Sequence, residues 1–511
     1  MFNTVLSASI QGVDCRIVRV ESDVGDGLPG FNMVGYLSAQ VKEAQERVRT
    51  ALKNSGYYLE PKRISVNLAP ADLRKSGSGF DLPIALAIAA GYGIISEKSL
   101  EGVLVAGELS LNGKVNGIPG VLSIVAEAAR NGCPKCIIPL ENAAEGEAIP
   151  DVEVKAASSL REVIEYLQGK KTLRTVEKKI PGEGEERECI GEDFSEIQGQ
   201  RAVRRAAEVA VSGFHNLLLV GPPGAGKSMI AKRIPGILPR MTPEEILETS
   251  KLYSIAGMLP ENGALLLKRP FRSPHHTVTA SALTGGGTIP RLGEVSLAHN
   301  GVLFLDELGE FSREVLEVLR QPLEEKEVCI SRSGGTYTFP ANLMLVAAMN
   351  PCPCGYYPDM KKCTCTYGSV QKYLSRISSP LLDRIDITVE ASAVTYGALQ
   401  DQEKNESSAV IRSRVERARG IQRERYLGTG YRFNSDLDGE GMQKYCSLKK
   451  EENELMKEAF EKLDLSARSY YRILKVARTI ADMEEKDQIG TEHLREAICY
   501  RTIHKKFWMG R

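Results

Sequence analysis

The chain has 511 residues, too many for one ordinary hydrophobic core, and usual domain sizes divide it into about two to four units. Hydrophobic residues make up 42% and charged residues 26%, which excludes wholesale disorder. With 66 Lys+Arg against 66 Asp+Glu the formal charge is zero, so no whole-molecule field favours a polyanion and any nucleic-acid surface has to be local.

Met1 to Gly12 lacks a basic segment leading into a long apolar stretch, and Asp14 and Arg16 follow early, so no secretory signal is expected. The longest apolar run, Leu82 to Ile95, is interrupted by Gly91, Tyr92 and Gly93 and falls short of the roughly 18 residues that argue for a membrane span. A soluble, cytoplasmic protein with no membrane partner is expected. Residues 1–167 mix short β-rich runs (Cys15 to Val20, Ile64 to Leu68, Gly102 to Ala106, Cys136 to Pro139) with helix-like apolar spacing over Lys42 to Lys53 and Leu122 to Arg130. Gly56 and Gly132 follow as stops, so this stretch reads as an α/β domain of its own. Gly169 to Arg187 then turns rich in Lys, Glu and Gly without apolar periodicity, which places a linker at 168–191.

From 192 to 396 strand, glycine-rich turn and helix alternate, and the runs Leu217 to Val220, Val302 to Leu305 and Leu343 to Ala348 are continuously apolar. Continuous hydrophobicity suits central strands of a parallel sheet covered on both faces. From 397 to 511 charged helices take over, chiefly Glu451 to Leu463 and Ser466 to Glu484, as a separate helical module. The fold class expected is therefore α/β multidomain.

The Leu217 to Val220 run passes straight into Gly221-Pro222-Pro223-Gly224-Ala225-Gly226-Lys227-Ser228, and Met229 to Ala231 opens a helix. This is the full strand, loop and helix context of a P-loop. The glycines let backbone N–H groups face phosphate oxygens, the helix N-terminus adds its dipole, Lys227 reaches the β- and γ-phosphates and Ser228 ligates Mg²⁺. Gly301 to Glu307 (GVLFLDE) delivers two adjacent carboxylates to a strand end. Asp306 suits the Mg²⁺ shell, and Glu307 suits accepting a proton from, or orienting, an attacking water. A third strand ends at Met349-Asn350, which places Asn350 to bond that water or the γ-phosphate. ATP with Mg²⁺ is the expected ligand pair.

Cys352-Pro353-Cys354 and Cys363-Thr364-Cys365 form two close pairs within the central region. Four thiolates so arranged suit structural, tetrahedral Zn²⁺ held by Cys352, Cys354, Cys363 and Cys365; two transient disulfides or four free thiols are the alternatives. Between Glu261 and Glu294 no acidic residue occurs, while Lys268, Arg269, Arg272, His275, His276 and Arg291 are present around Thr284-Gly285-Gly286-Gly287. Such a loop could track phosphate backbones, with Phe271 for stacking, or make a subunit contact. The terminal stretch Arg501 to Arg511 is a second basic site of the same ambiguity.

The chain resembles the AAA+ ATPases in their magnesium-chelatase-like branch, and specifically the ComM/YifB family. The runs that carry this are Ile197 to Gln200 (IQGQ), Arg269 to His276 (RPFRSPHH), Asn300 to Glu307 (NGVLFLDE), Ala348 to Pro351 (AMNP) and Leu381 to Asp386 (LLDRID). The resemblance covers nearly the whole chain. It implies a homo-oligomeric ring, a hexamer, with sites at subunit interfaces. Arg384 is then the finger offered to a neighbour's site and Arg468 the lid-helix sensor arginine, with Arg376 and Arg472 as rivals. The resemblance also gives the first domain a Lon-protease-like (ribosomal S5 domain 2-like) fold and the C-terminal module the role of a helical lid. In that alignment Gly79 replaces the nucleophilic serine and Leu122 the partner lysine, so peptide hydrolysis is expected to be lost unless the register shifts to Ser76 or Ser78. Arg74, Lys75 and Lys114 could instead make a partner or DNA surface. The family further implies a DNA motor, a branch-migration helicase in recombination during natural transformation, acting on single-stranded or branched DNA. A chelatase-type metal-insertion role and a protein-remodelling role are the alternatives.

Overall fold

The structure is a computed structural model and describes residues 2–177, 192–260, 265–287, 290–332, 335–393 and 405–509. Most of the expected linker 168–191, the expected boundary at 396/397 and the last two residues of the terminal basic stretch lie outside the described residues. The chain forms two compact units. One comprises Met1–Glu185, Thr242–Leu267 and Ser331–Thr338; the other comprises Glu186–Met241, Lys268–Ile330 and Phe339–Arg511.

The first unit is built on an eight-stranded mixed sheet. Phe2–Gln11 and Asp14–Gly25 pair antiparallel through a tight turn at Gly12, whose φ of +66° is a left-handed conformation that glycine adopts without cost. Arg63–Ala69 and Gly30–Val34 extend that side of the sheet, while Val103–Val105, Lys135–Pro139, Glu153–Ala157 and Arg174–Thr175 extend the other. The expected helices appear as Ala39–Asn54 and Val121–Arg130. Ser38 caps the former, its side chain accepting from the Val41 N–H, and Gly56 and Gly132 follow the two helices at φ +93° and +67°. The apolar run from Leu82 becomes a helix, Asp81–Gly91, in which every residue from Asp81 to Ala90 is buried. A helix apolar on all sides is a core helix. The helix Pro243–Ile255 also belongs to this unit, and the Gly120 N–H donates to the Ser254 carbonyl at 2.9 Å. Glu145, itself buried, accepts from the Leu122 N–H at 2.9 Å, from Asn142 Nδ2 at 2.6 Å and from the Ser254 hydroxyl.

The second unit carries a five-stranded sheet in the order Phe271–Arg272, Val302–Leu305, Met344–Met349, Leu217–Val220, Ile387–Glu390. Every pairing is parallel, as the continuous apolar runs require, and every residue of the three inner strands is buried. Register places Val220 opposite Met349 and Leu305 opposite Ala347, so all three inner strands end at one edge. The charged helices appear as Lys450–Leu463 and Ala467–Met483, the latter capped by Ser466, which accepts from the Ser469 N–H at 3.2 Å. Among the described residues, no helix is long and apolar enough to cross a membrane. Phe304 sits inside the second core, its ring stacked on Phe271 at 5.9 Å between centroids. Phe304→Ala should cost about 3–5 kcal/mol of stability, read as a lowered urea midpoint at unchanged slope.

Candidate nucleotide site and four-cysteine centre

The strand Leu217–Val220 leads into the glycine-rich loop, and the helix Lys227–Ile237 leaves it. Gly221 donates its N–H to the Met349 carbonyl at 3.2 Å, and a Cβ there would lie 2.3 Å from the Ala391 carbonyl oxygen, so only glycine fits. Gly224 and Gly226 hold φ of +77° and +78° with open space where a side chain would stand. The loop is thus a backbone-walled cradle at a helix N-terminus, where the first amides have no partner within the helix. Lys227 Nζ lies 2.8 Å from the Gly221 carbonyl, 2.9 Å from that of Pro222 and 3.0 Å from Asn350 Oδ1. Burial lowers the Lys227 pKa below the ordinary lysine value, and the charges of Asp306 and Glu307 act against that shift. The loop lysine, the carboxylate pair and the strand-end asparagine thus come together, contributed by three adjacent strands.

Asp306 and Glu307 follow the buried strand Val302–Leu305 directly. Asp306 Oδ1 accepts from the Glu307 N–H at 3.0 Å, which fixes the first carboxylate. Glu307 adopts φ +52°, a left-handed conformation uncommon outside glycine, and its side chain is 61% exposed. His276 Nδ1 approaches Glu307 Oε2 at 3.6 Å, with the His275 ring 4.0 Å from its own. Sequence reasoning put both histidines in a basic loop and missed this approach. Arg376 donates to the Gly309 carbonyl at 2.6 Å and to Glu310 at 3.1 Å, just beyond the carboxylate pair.

The other arginines lie elsewhere. Arg384 precedes the strand Ile387–Glu390, whose first residue pairs with Leu217, so it stands at the sheet edge opposite the loop. It is buried and donates to the Arg320 carbonyl at 3.1 Å, the Pro380 carbonyl at 2.6 Å and the Glu324 carboxylate. Arg468 is 61% exposed and 3.8 Å from the same Glu324. Both line a cleft of about 440 Å³ with Arg472, Lys475 and Asp386. Arg472 bonds Asp386, whose carboxyl is buried; burial alone would raise its pKa, but Arg472 and His215 hold it well below the ordinary carboxylate range.

Cys352, Cys354, Cys363 and Cys365 bring their sulfurs within 4.8 Å of one another. Three of the separations are 3.4, 3.8 and 3.5 Å. A disulfide needs about 2.05 Å. Four sulfurs at 2.3 Å from a central zinc would be about 3.8 Å apart, so the cluster has the size of a tetrahedral thiolate site. Cys352 Sγ accepts from the Gly355 N–H at 3.2 Å and the Tyr357 N–H at 3.4 Å, contacts that orient a thiolate ligand. Desolvation raises the Cys354 thiol, but the Tyr356 and Thr364 N–H groups and the neighbouring thiols bring it down to about 6. At Cys363 the favourable Cys365 N–H is outweighed by desolvation and by the sulfurs of Cys354 and Cys352, which push that thiol up. Several thiolates cannot coexist so close together unless a cation offsets their charge.

Several basic residues singled out in the sequence turn inward. Arg269 is buried and donates to the Pro239 and Asn300 carbonyls, and Arg272 makes a bidentate pair with Glu294 at 2.6 and 2.7 Å. Neither tracks a phosphate backbone in this conformation, whereas Lys268 and Arg291 are exposed. Arg501 is buried against the Ile385 carbonyl, and Lys506 pairs with Glu390 at 2.6 Å. In the first unit Gly79 is packed so that a Cβ would lie 2.9 Å from Ile118 Cδ1, and Leu122 is fully buried. Ser78 donates its hydroxyl to Glu108, and the neighbouring Lys75 amine is turned inward onto the Pro70 carbonyl. Lys75 therefore offers no surface charge, and Lys114 is paired with Glu141 at 2.8 Å.

Family models described as magnesium chelatase, subunit ChlI, match residues 193–399; as subunit ChlI of Mg-chelatase, 20–142; and as magnesium chelatase, subunit ChlI C-terminal, 405–501. With the loop, carboxylates and parallel sheet described above, they define a magnesium-chelatase-like AAA+ protein, of an ATPase family. The chain is 42% identical over 499 residues to the uncharacterized protein YifB of Salmonella typhimurium, covering 97% of this chain and 96% of that one. It is 41% identical over 503 residues to the competence protein ComM of Haemophilus influenzae, covering 98% and 97%, and 36% identical over 496 residues to Rv2897c of Mycobacterium tuberculosis, covering 97% of each. The chain belongs to the ComM/YifB family.

Arg472→Ala leaves Asp386 buried without its principal counter-charge and should cost about 3–5 kcal/mol in chemical unfolding. A depressed carboxyl stabilises the fold above its unfolded pKa. The gap between wild type and variant should therefore be full above pH of about 4 and shrink as acid protonates Asp386.

Proposed function

We propose that this chain is an ATP-hydrolysing ring motor that acts on single-stranded or branched DNA as a branch-migration helicase. The observation that carries the catalytic half is the Lys227–Asn350 bond at 3.0 Å, with the charges of Asp306 and Glu307 bearing on the same ammonium. Gly221 to Ser228 cradle the phosphates, with Lys227 on the β- and γ-phosphates. Ser228 and Asp306 would hold the magnesium ion, which when bound neutralises charge on those phosphates. Glu307 orients the attacking water and accepts its proton; Asn350 bonds the water or the γ-phosphate. In this reading His276 holds Glu307 in place.

Arg384 is the finger and Arg468 the sensor, with Arg376 and Arg472 as rivals. Arg384 lies at the far sheet edge, away from this chain's own loop, and would have to leave its bonds to Arg320, Pro380 and Glu324 to reach a neighbour's site. The homo-oligomer, read here as a hexamer, rests on the family resemblance. The domain reading is a Lon-protease-like front domain over 1–167 that has lost peptide hydrolysis, a linker over 168–191, the ATPase domain over 192–396 and a helical lid over 397–511. The lost hydrolysis rests on Gly79, which brings no hydroxyl, and on the fully buried Leu122, which brings no amine. The sulfur separations support structural Zn²⁺ at Cys352, Cys354, Cys363 and Cys365.

DNA as the track is supported by the name of the Haemophilus influenzae relative, a competence protein, and by the family resemblance. A second reading, a chelatase-type or protein-remodelling ATPase, is favoured by the chelatase descriptions of all three matching family models.

Glu307→Gln should keep nucleotide binding and lower turnover by about 10² or more. Lys227→Ala should lose both. Arg384→Ala should bind nucleotide normally yet lose on the order of 10³ in turnover, and doping it into wild-type rings should depress the mixed rate. Wild-type turnover in intact Arg384→Ala rings would remove the finger assignment. Turnover of the wild type should rise on a four-way DNA junction and fall steeply with salt. An unchanged rate with DNA, together with stimulation by a protein partner, would select the second reading.

A further inference from the structure

The four-cysteine centre and the phosphate loop are joined by one short stretch of chain. Residues 349–355 leave the strand Met344–Met349 and meet the loop three times. The Met349 carbonyl accepts from the Gly221 N–H at 3.2 Å, and Asn350 Oδ1 accepts from Lys227 Nζ at 3.0 Å. Gly355 then closes on Pro223: a Cβ built on Gly355 would lie 2.4 Å from Pro223 Cδ, and its φ of +85° lies in the left-handed region. Two independent demands, space and backbone conformation, therefore both require glycine at this point.

Cys352 lies between the second and third contacts and is fully buried. Its sulfur accepts from the Gly355 N–H at 3.2 Å, and the Gly355 N–H also reaches the Cys352 carbonyl at 2.9 Å. The backbone that presses on Pro223 is thus folded around one vertex of the sulfur cluster. Cys354, a second vertex, is the residue immediately before Gly355.

We propose that the four-cysteine centre is a strut for the phosphate loop, so that zinc bound by Cys352, Cys354, Cys363 and Cys365 sets the affinity for ATP. With a dication at their centre, four thiolates hold residues 352–365 in one shape, and Gly355 and Asn350 keep the loop and Lys227 in register. Without the cation the close sulfurs lose what holds them together, and nucleotide has to order the loop as it binds, which weakens binding. This rests on the nucleotide reading above.

The test uses the full chain, purified reduced. Metal content is measured by elemental mass spectrometry and affinity by titration with a fluorescent ATP analogue, before zinc removal by a zinc-selective chelator, after it, and after zinc is returned. The expected result is about one zinc per chain. Its removal should weaken the analogue on the order of tenfold or more, with recovery on adding zinc and with the far-ultraviolet circular dichroism retained throughout. Gly355→Ala should keep its zinc and still bind more weakly, because the strut is present but displaced at Pro223. Undiminished affinity in the zinc-free chain, or no zinc in the reduced wild type, overturns the proposal alone. A zinc-loaded wild type that binds no analogue overturns the ATP reading and takes this proposal with it.

Discussion

The bond between Lys227 and Asn350 depends on a register. Leu217–Val220 and Met344–Met349 run parallel and side by side, with Val220 opposite Met349, so the residues that follow each strand emerge at the same height on the same edge. A parallel sheet gathers what lies after its strands, and a ligand site in such a sheet belongs at that edge. Asp306 and Glu307 arrive there because Val302–Leu305 is the next strand over. Shifting one strand by a residue would leave the same side chains on the wrong face or out of reach.

This explains which features could be read from the chain alone. The phosphate loop is contiguous, so strand, glycines, lysine and helix appear together in the sequence, and the carboxylate pair and Asn350 each announce themselves at the end of an apolar run. The four-cysteine cluster was legible for the same reason, as two tight pairs. In the first unit the helices Ala39–Asn54 and Val121–Arg130 and the strands at Asp14–Gly25, Arg63–Ala69, Val103–Val105 and Lys135–Pro139 follow local periodicity and glycine stops.

Features that depend on strand order were hidden. His276 meets Glu307 only because Phe271–Arg272 pairs with Val302–Leu303, a neighbourhood no local pattern encodes. A run of basic residues without acids, Lys268 to Arg291, could be read as a phosphate-tracking loop or a subunit contact, yet Arg269 is spent on backbone carbonyls and Arg272 on Glu294. The acid that pairs with Arg272 lies just past the run. The helix Pro243–Ile255 lies within the stretch 192–396 in sequence, while it packs in the first unit. Charge counting cannot separate a guanidinium that holds the fold from one that faces solvent, and sequence adjacency cannot assign a helix to a core.

The two ends of the parallel sheet carry opposite equipment. The glycine-rich loop and the carboxylates crown one end; Arg384, Arg468 and Arg472 gather at the other, by a cleft that Glu324, Asp383 and Asp386 line as well. If Arg384 serves a neighbour's site, as proposed above, a twofold pair, where like surfaces meet like, leaves the sites incomplete. On that proposal the association is head to tail, each copy lending an arginine from its cleft end to the next copy's receptive one. Such a chain always has one receptor unserved until its last member meets its first, which makes closure itself the event that brings every site into use.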